Sequence, residues 1–449
     1  MDEYYHQYVK YKLKYLQLKH GGTLNIEQHP KINFMFKNVK NINFGSRNIS
    51  AILLPHAGYS YIKNIMDLTF LNIRKSYKYI IILTTNHLDT HNYQPNDDIL
   101  FGIKVFHLEN VEKSYNHFME EHSYLSILPY IQQFNVPIYL FSIGYFDEKL
   151  TNTLKTLIDK DVLLIGNTDL LHCGNHFMVP CPTDIESTNI QIIYDILAKK
   201  DIENLDICGK ANVKTFVKLC DDYESFLYTS SNLLEESSSS VGYCGIVYKE
   251  IVELKYFSYL FSLPKKVLES TKNLLGKRIS NVPIKEIRQK LNIHEKLFIR
   301  NIEGIFVTIY KNEFLRGCTG TFQLFGDLFD TIIRQSIISA LGDTRFNPIT
   351  EDELDKLSYK INFLKKPISK GKNIKKIASE FEVGKYGLTA KFTDGLEATY
   401  LASVLPESFG ITQENIKKKI YEVIQSLKEK CGSNGDLKDI QIYECEEFT

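Results

Sequence analysis

The stretch Ile49–Tyr59, which reads ISAILLPHAGY, predicts a buried strand followed directly by a histidine. Because Pro55 cannot continue a central hydrogen-bond ladder, the strand should stop there and present His56 at its carboxyl end. Two further stretches repeat the arrangement: Tyr79–His87 reads YIIILTTNH, and Val162–His172 reads VLLIGNTDLLH. Ligands of open α/β sheets lie beyond the carboxyl ends of the strands. The three stretches therefore predict a metal pocket at one edge of a sheet.

Four side chains near these strand ends supply the ligand types of a metal that activates oxygen or a small substrate: His56, His87, Asp169 and His172. Such metals often use two histidines and one carboxylate and keep open positions for reactants. Asp169 and His172 are three residues apart, so they share one face if the chain is helical there. His122 opens another predicted helix and suits an acid/base or orienting role. Two simpler interpretations stay open: each histidine is a structural group, or Asp169 caps a helix.

The overall composition predicts a cytoplasmic protein of two or more domains. The chain has 449 residues, more than a single core usually supports, and its formal net charge is zero. Zero net charge argues against a protein that mainly coats nucleic acid. No apolar run approaches the roughly 18 residues that cross a membrane, and the start has no secretory signal. The eight cysteines include no CxxC pair, so we expect reduced thiols.

The pattern of apolar residues divides the chain into three parts. Residues 1–22 carry tyrosines on one face of a predicted helix and lysines on the rest, which suits an address tag, a docking helix or a plain amphipathic extension. In residues 45–250, strand and helix patterns alternate, which predicts an α/β domain with a largely parallel sheet covered by helices. Eleven of the twelve histidines lie at or before His176, so histidine-based metal chemistry belongs to this part. Residues 260–445 predict a second, α+β domain.

The predicted α+β domain contains a cysteine between two glycines, in the stretch Leu315–Phe322, which reads LRGCTGTF. Arg316 precedes Cys318 by two residues, and a neighbouring guanidinium favours a thiolate, so Cys318 is a candidate catalytic thiol. The alternative is an inert, buried cysteine in a glycine-flanked turn. Further along the chain, Asp343 and Arg345 are expected to form an ion pair that fixes a turn. Thr350–Glu353 reads as a capping box.

The first half resembles the Memo family in seven motifs that occur in the family's order. They are Pro55–Tyr59, Asn86–His87, Glu121–Ser123, Leu128–Tyr130, Thr168–Gly174, Cys208–Gly209 and Ser239–Tyr243. That family is similar in fold to class III non-haem-iron extradiol dioxygenases. The resemblance implies a cleft lined by His56, His87, Asp169 and His172, with His56 and His87 as metal ligands and iron or copper as the metal.

The chain also departs from the Memo pattern. Thr84–Asn86 replaces the family's usual Gly-Pro-Ser, and Leu125 stands where a carboxylate is expected. The loop before the last strand lacks the cysteine ligand of some members, so either Glu235 or Glu236 substitutes for it or the ligand is missing. These departures leave open a cleft that has lost turnover and instead binds a peptide or partner protein.

The second half is similar to the AMMECR family over about residues 260–445. The motifs are Leu315–Phe322, Ser339–Pro348, Val383–Leu388, Ala398–Leu401 and Leu405–Pro406. The resemblance implies a cleft near Arg316, Cys318, Asp343 and Arg345. Memo-like and AMMECR-like domains also occur beside a radical-SAM protein in a microbial system, which makes such a protein a possible partner. Residues 1–22 resemble a leader found on proteins of giant DNA viruses, which would make the compartment the host cytoplasm.

The sequence thus predicts a metal-dependent oxidoreductase acting on a small substrate, with His122 as an acid/base group. The alternatives are the binding scaffold, or nucleotide or RNA binding by the C-terminal domain. The last alternative rests on six lysines with no intervening acid between residues 365 and 376. A solvated basic loop is the simpler explanation of these lysines.

Overall fold

The computed structural model describes residues 49–448 except 72, 74–75, 221–222, 232–237 and 249–257. The predicted N-terminal helix and the loop with Glu235 and Glu236 therefore lie outside the described residues. The described chain forms two compact units. The first contains the residues up to 248 together with His294–Leu297, and the second contains residues 258–293 and 298–448. Within these ranges, no helix has the length and apolar character needed to cross a membrane.

The first unit is built on a ten-stranded mixed sheet, so the predicted α/β class is confirmed. The order of the main path is β12-β10-β11-β1-β8-β2-β7-β3-β6, and β9 pairs with β11. The strands of this unit, with a separate β4-β5 pair, are β1 (Ala51–Leu54), β2 (Tyr79–Thr85), β3 (Asn92–Gln94), β4 (Ile99–Leu100), β5 (Ile103–Lys104), β6 (Glu112–Lys113), β7 (Ile138–Ile143), β8 (Val162–Asn167), β9 (Asp169–Gly174), β10 (Tyr223–Ser230), β11 (Ser239–Tyr248) and β12 (Lys296–Ile299), of which Lys296 and Leu297 belong to this unit. Every residue of β1, β2 and β8 is buried, as expected for strands covered on both faces.

The sheet is less parallel than the sequence predicts. The neighbours β1, β8, β2 and β7 pair in parallel, whereas β9, β10 and β11 pair only in antiparallel fashion. The prediction of a mostly parallel sheet therefore holds for its centre and for the β3-β6 pair at one edge. The physical reason is connection length: β10 and β11 follow each other along the chain too closely for a crossover helix, so they form an antiparallel pair.

Helices of the first unit follow its strands. They are α1 (Tyr59–Phe70), α2 (Tyr115–Glu120), α3 (Leu128–Ile131), α4 (Glu148–Leu157), α5 (Ile185–Leu197) and α6 (Lys210–Leu219), with short 3₁₀ turns at Gln132–Phe134 and Ile202–Asn204. Carboxylate caps explain where two of them begin. Asp147 accepts hydrogen bonds from backbone N–H groups at the start of α4, and Asp184 accepts one at the start of α5.

In the first unit, the condition set for a shared face of Asp169 and His172 is not met, and one local prediction is wrong. The chain after Asp169 is not helical but forms strand β9, because β11 offers it a partner; Tyr243 lies opposite Asp169 and Val241 opposite His172. The eight cysteines are not all reduced thiols, since Cys173 and Cys181 form a disulfide with a Cα–Cα distance of 4.9 Å. A turn after β9 returns the chain to the strand end, which brings the two thiols together although no CxxC motif announces them.

The second unit is built on a seven-stranded sheet in which every pairing is antiparallel. The order is β14-β13-β15-β19-β17-β18, with β16 beside β19. The strands are β13 (Ile302–Lys311), β14 (Phe314–Thr321), β15 (Leu357–Lys365), β16 (Ile368–Gly371), β17 (Tyr386–Phe392), β18 (Glu397–Tyr400) and β19 (Leu437–Phe448).

Helices of the second unit cover this sheet. They are α7 (Ser258–Phe261), α8 (Leu263–Ser270), α9 (Ile284–Leu291), α10 (Leu328–Ile337), α11 (Ile374–Glu380), α12 (Val404–Phe409) and α13 (Ile416–Cys431), with 3₁₀ turns at Lys272–Leu274 and Glu351–Lys356 and a π-helical turn at Ile338–Gly342. Apolar residues of α13 recur every three or four positions and are buried against β17 and β18. The predicted capping box is confirmed, because Thr350 and Glu353 exchange both of its hydrogen bonds.

Candidate functional sites

His56 and His87 meet because their strands share one neighbour. Both β1 and β2 pair in parallel with β8, so the residues that follow them lie at the same edge of the sheet. The centroids of the His56 and His87 rings are 5.0 Å apart. His122 joins them from the turn after α2, and its ring stacks on that of His87 at 4.7 Å. His122 thus lies in a turn rather than at the start of a helix, contrary to the sequence prediction.

Asn167, at the end of β8, ties the loops of this edge together. Its side-chain oxygen accepts a hydrogen bond from the Thr85 backbone N–H at 2.9 Å, and its amide nitrogen donates to the Ser123 carbonyl at 2.8 Å. The Ser123 hydroxyl in turn donates to the Thr85 carbonyl at 2.7 Å. All three side chains are buried. The loops that carry His87 and His122 are therefore held in fixed positions.

Glu121 is the carboxylate that orients His87. Its Oε2 accepts the His87 backbone N–H at 2.7 Å, and its Oε1 lies 2.9 Å from His87 Nδ1. Oε1 also accepts the backbone N–H groups of His122 and Ser123. Burial opposes ionisation, but the hydrogen bonds and charge of His87 hold the pKa of Glu121 well below its ordinary value. A carboxylate with this many partners fixes the His87 ring so that Nε2 points away from it.

Cys208 lies on the other side of His87, with its Sγ 3.1 Å from His87 Nε2. Its backbone is held at both ends: its N–H donates to the Asp169 carbonyl at 2.9 Å, and its carbonyl accepts the Thr168 hydroxyl at 2.7 Å. Gly209 follows with φ of +70°, and a Cβ there would lie 2.1 Å from Thr85 Oγ1. The glycine thus allows the start of α6 to pack against β2.

Burial and hydrogen bonds have opposite effects on the pKa of the His87 ring. Burial lowers the pKa of the ring, but the hydrogen bonds and charges of Cys208 and Glu121 outweigh it and raise the pKa of His87 to about 10. The ring of the neighbouring His56 faces a more distant carboxylate, with its Nε2 3.8 Å from Asp169 Oδ2. Burial, followed by the charges of His87 and His122, lowers the pKa of His56 well below its ordinary value.

Two overlapping sets of side chains bring ligand atoms within 4.8 Å of one another: His56, His87 and Cys208, and His87, Glu121 and His122. The first set fits a metal better. Glu121 already uses both oxygens as hydrogen-bond acceptors, so it acts as an orienting group behind His87. By contrast, no described residue hydrogen-bonds to the buried Nδ1 of His56. A buried nitrogen without a partner, beside an imidazole and a thiol, is the donor set of a metal that prefers nitrogen and sulfur.

Asp169 and His172 do not share one face, because they lie in strand β9 and not in a helix. Successive residues of a strand face opposite sides, so residues three apart in β9 do not share a face. Asp169 is buried and accepts the His56 backbone N–H at 3.0 Å. Burial, opposed by this bond and by the charge of His87, raises the pKa of Asp169 to about 7.

His172 is held by its own strand and loop. Its Nδ1 lies 2.8 Å from the Leu170 carbonyl, and its ring packs edge-on against Phe177 at 5.0 Å. Burial lowers its pKa. Neither Asp169 nor His172 belongs to the two sets of converging ligand atoms.

Sequence reasoning left Cys208 out of the candidate site. The available signal was the Cys-Gly pair directly before a predicted helix, because a glycine there permits close packing and the helix start favours a nearby anion. That signal does not say which strand the helix will meet. The distance of 3.1 Å between Cys208 Sγ and His87 Nε2 follows from tertiary packing alone.

In the second unit, Cys318 lies within strand β14 rather than in a turn. Its Sγ is 3.2 Å from the Thr308 hydroxyl, its backbone N–H donates to Asp343 Oδ2 at 2.9 Å, and its carbonyl accepts from Arg345 at 2.9 Å. Burial raises the pKa of Cys318, although Thr308 and Arg345 oppose the shift. At Gly317, a Cβ would lie 2.0 Å from the Ser339 carbonyl, so the glycine allows the π-helical turn to pack on β14.

The expectation that Arg316 favours a thiolate at Cys318 is wrong. The Arg316 guanidinium forms two bonds with Glu353, at 3.0 and 2.9 Å, and donates to the Asn347 carbonyl at 2.7 Å. The predicted ion pair between Asp343 and Arg345 is confirmed at 2.7 Å. Among the lysines between residues 365 and 376, Lys365 contacts the carboxylates of Glu444 and Glu446. Near Cys318, Arg316 and Arg345 are thus each bound to a carboxylate.

Comparisons with known proteins bear on the second unit. Residues 272–449 match the AMMECR1 family model. The chain is 29% identical to a protein of Thermoplasma volcanium over 157 residues, which are 34% of this chain and 71% of that protein. It is 36% identical to a protein of Methanosarcina barkeri over 106 residues, 23% of this chain and 51% of that protein. It is 35% identical to an uncharacterised protein of Kluyveromyces lactis over 149 residues, 30% of this chain and 62% of that protein.

One solved structure is also similar. It is the crystal structure of an uncharacterised protein from Pyrococcus horikoshii, with 22% identity, a TM-score of 0.30, and coverage of 42% of this chain and 87% of that one. The chain spans about half to 71% of the length of the three sequence relatives. The family match agrees with the AMMECR-like motifs around Cys318. Residues 272–449 are therefore an AMMECR1 domain.

Proposed function

We propose that the first unit is a Memo-like domain that binds iron or copper through His56, His87 and Cys208 for redox chemistry on a small substrate. One observation carries the proposal: the ligand atoms of these three side chains lie within 4.8 Å of one another. The unpartnered, buried Nδ1 of His56 supports it, because a buried polar atom without a partner is costly unless a ligand satisfies it. The Memo-like order of the motifs is consistent with this location.

The ligand types distinguish this centre from a dioxygenase-type iron site. An iron site of that class uses two histidines and one carboxylate, whereas here the third donor is a thiol. Two imidazoles and a thiolate suit copper well, because sulfur is a soft ligand. The proposal therefore moves Asp169 and His172 out of the ligand set. Asp169 is instead assigned the role of fixing the backbone of His56.

The surrounding residues have separate tasks in this proposal. Glu121 holds the His87 ring so that Nε2 faces the centre. His122, whose side chain is 43% exposed, stacks on His87 and can exchange a proton with a substrate at the open side. Iron or copper, when bound, supplies one-electron redox chemistry and polarises a bound substrate.

The proposal is tested by the metal content of the full chain purified without oxygen. We expect close to one iron or copper per chain, a loss of most of it in the double variant His56→Ala with His87→Ala, and a similar loss in Cys208→Ser. The matched control is His91→Ala with His176→Ala, since both of these histidines are exposed and belong to the same unit. The control should keep its metal.

Spectroscopy separates the two metals. A copper-bound thiolate gives a sulfur-to-copper charge-transfer band, which Cys208→Ser should abolish while the control retains it. A chain that carries no metal, or variants that bind as much as the unchanged protein, would refute the proposal. The interpretation of the cleft as a binding scaffold would then be the one left.

A further inference from the structure

A thiol, an imidazole and a carboxylate stand in series in the first unit. His87 lies between the other two, with Nε2 3.1 Å from Cys208 Sγ and Nδ1 2.9 Å from Glu121 Oε1. Covalent catalysis by a thiol uses this order: a nucleophile, a base within hydrogen-bond reach, and a third group that orients the base. We propose that the metal-free chain uses Cys208 as a nucleophile towards ester or thioester carbonyls, with His87 as its base. This activity goes beyond the proposed metal binding and does not require it.

The base of this triad is held rigidly. Glu121 is only 1% exposed, and it grips His87 at two points, the ring Nδ1 and the backbone N–H. The ring of His122 covers one face of His87 at 4.7 Å. The imidazole therefore keeps Nε2 directed towards the thiol, which is the requirement for proton transfer between them.

The nucleophile also has a suitable backbone environment. Cys208 precedes the ten-residue helix α6, whose N-cap is Gly209. Glycine has no side chain with which to cap the helix, and the N–H groups of a first turn have no acceptor within the helix. These N–H groups, together with the helix dipole, stabilise negative charge near the helix start. An oxyanion formed on a carbonyl attacked by Cys208 is the charge that this position would stabilise.

The reaction balances without an external oxidant or reductant. In the resting pair His87 Nε2 holds the proton of Cys208, and the thiolate Sγ forms a bond to the carbonyl carbon as the bond to the leaving oxygen or sulfur breaks. His87 returns the proton to the leaving group, which departs as an alcohol or thiol. Water then hydrolyses the thioester at Cys208, releasing a carboxylic acid and restoring the thiol.

Metal binding and thiol catalysis use the same atoms. A metal held by Cys208 Sγ and His87 Nε2 removes both the nucleophile and the base. The two activities must therefore exclude each other. The full chain should react covalently after removal of metal by a chelator and should stop reacting when one equivalent of copper is restored.

The experiment uses p-nitrophenyl acetate and the chelator-treated full chain. We expect a burst of about one p-nitrophenolate per chain and an acetyl group located on Cys208 by mass spectrometry. Cys208→Ser should abolish the burst, and His87→Ala should slow it about 100-fold, the lower range for loss of a positioned base. The control Cys431→Ser removes a half-buried thiol of the other unit and should leave the burst unchanged.

Two outcomes would overturn the proposal. They are acetylation spread over lysines or other cysteines, and acylation of Cys208 at an unchanged rate in His87→Ala. A burst on Cys208 that copper does not suppress would instead refute the metal centre. Circular dichroism of each variant shows that a lost burst is not a lost fold. Metal content and the acyl burst are separate measurements, so failure of the triad is distinguishable from failure of the metal centre.

Discussion

The two units place a cysteine beside charged groups in opposite ways. In the first unit, Cys208 meets an imidazole, and a carboxylate lies behind that ring. In the second, Cys318 meets the hydroxyl of Thr308, while Asp343 is bound to the guanidinium of Arg345. An imidazole can hold a proton and release it to a leaving group, whereas a guanidinium keeps its proton. The first arrangement therefore suits proton transfer at a reactive thiol, whereas the second suits stabilisation of the fold around a thiol.

In our proposal the conspicuous motif is not the reactive one. The glycines around Cys318 serve close packing, as the contact of Gly317 with Ser339 demonstrates. Cys208 has a plainer sequence context, yet its thiol lies within hydrogen-bond distance of a histidine. What decides the chemistry of a thiol is its partner and its exposure.

The largest effect is expected from Glu353→Gln, which tests whether the carboxylates of the second unit are structural. Glu353 binds Arg316 and Lys311 and caps the turn at Thr350, and it is only 6% exposed. Removing one partner of a buried ion pair costs about 3–5 kcal/mol. We expect a loss of that size in the free energy of unfolding of the second unit at pH 7, measured by urea denaturation. The metal content of the first unit should not change.

The stability lost in Glu353→Gln should also depend on pH. Burial opposes it, but Arg316 and Lys311 hold the pKa of Glu353 well below its ordinary value. Its stabilisation is complete above the unfolded pKa of about 4.3 and is lost as the pH falls towards the folded value. The deficit of Glu353→Gln should therefore shrink below about pH 4. Glu351→Gln is the control, because Glu351 is 62% exposed in its pair with Lys272 and such pairs contribute about 0–1 kcal/mol.

The next effect is a difference in thiol reactivity. In the metal-free chain, iodoacetamide should alkylate Cys208 about 100-fold faster than Cys318, since Cys208 has a positioned base and burial raises the pKa of Cys318. Peptide mapping after timed quenching gives both rates from one sample. In concentrated urea the two rates should become equal. Comparable rates in the folded chain would remove the distinction between the two sites.

The sequence predicts the part of the first site that the central parallel strands position. His56 and His87 follow long apolar runs, and parallel strands deliver their carboxyl ends to one edge, so the approach of the two histidines could be expected. Cys208 could not, because its position depends on how α6 packs against Thr85. Asp169 was misplaced since a short apolar run fits strand and helix alike, and only the pairing with β11 decides between them.

The same limit applies to the second unit. The capping box at Thr350 and the turn between Asp343 and Arg345 are local, so the sequence predicts them correctly. The partner of Arg316 is Glu353, which lies 37 residues away in sequence, so the assignment of Arg316 to Cys318 failed. Interactions within one turn are readable from sequence spacing, whereas those between elements depend on the register and packing of the fold.

A smaller effect tests the role of the carboxylate in the first unit. Glu121→Gln keeps the shape of the side chain but weakens its hydrogen bond with His87 Nδ1. The affinity for metal should therefore fall about 10- to 100-fold, as is usual for a group that orients a ligand. Competition with a chelator of known affinity measures the change. Glu148→Gln is the control, since Glu148 is an exposed residue at the start of α4. An unchanged affinity would show that the ring needs no carboxylate to stay in place.

The smallest effect concerns the hydroxyl beside Cys318. Thr308 lies 3.2 Å from the thiol and lowers its pKa against the larger effect of burial. Thr308→Val keeps the volume but removes this hydrogen bond, which contributes about 1 kcal/mol, so the pKa of Cys318 should rise further. The pH dependence of alkylation in a Cys208→Ser background measures it, with Thr331→Val as a buried-threonine control that should cause no shift. A fall in the pKa would mean that Arg345 dominates the thiol's surroundings, and Cys318 would then resemble Cys208 more closely than the geometry indicates.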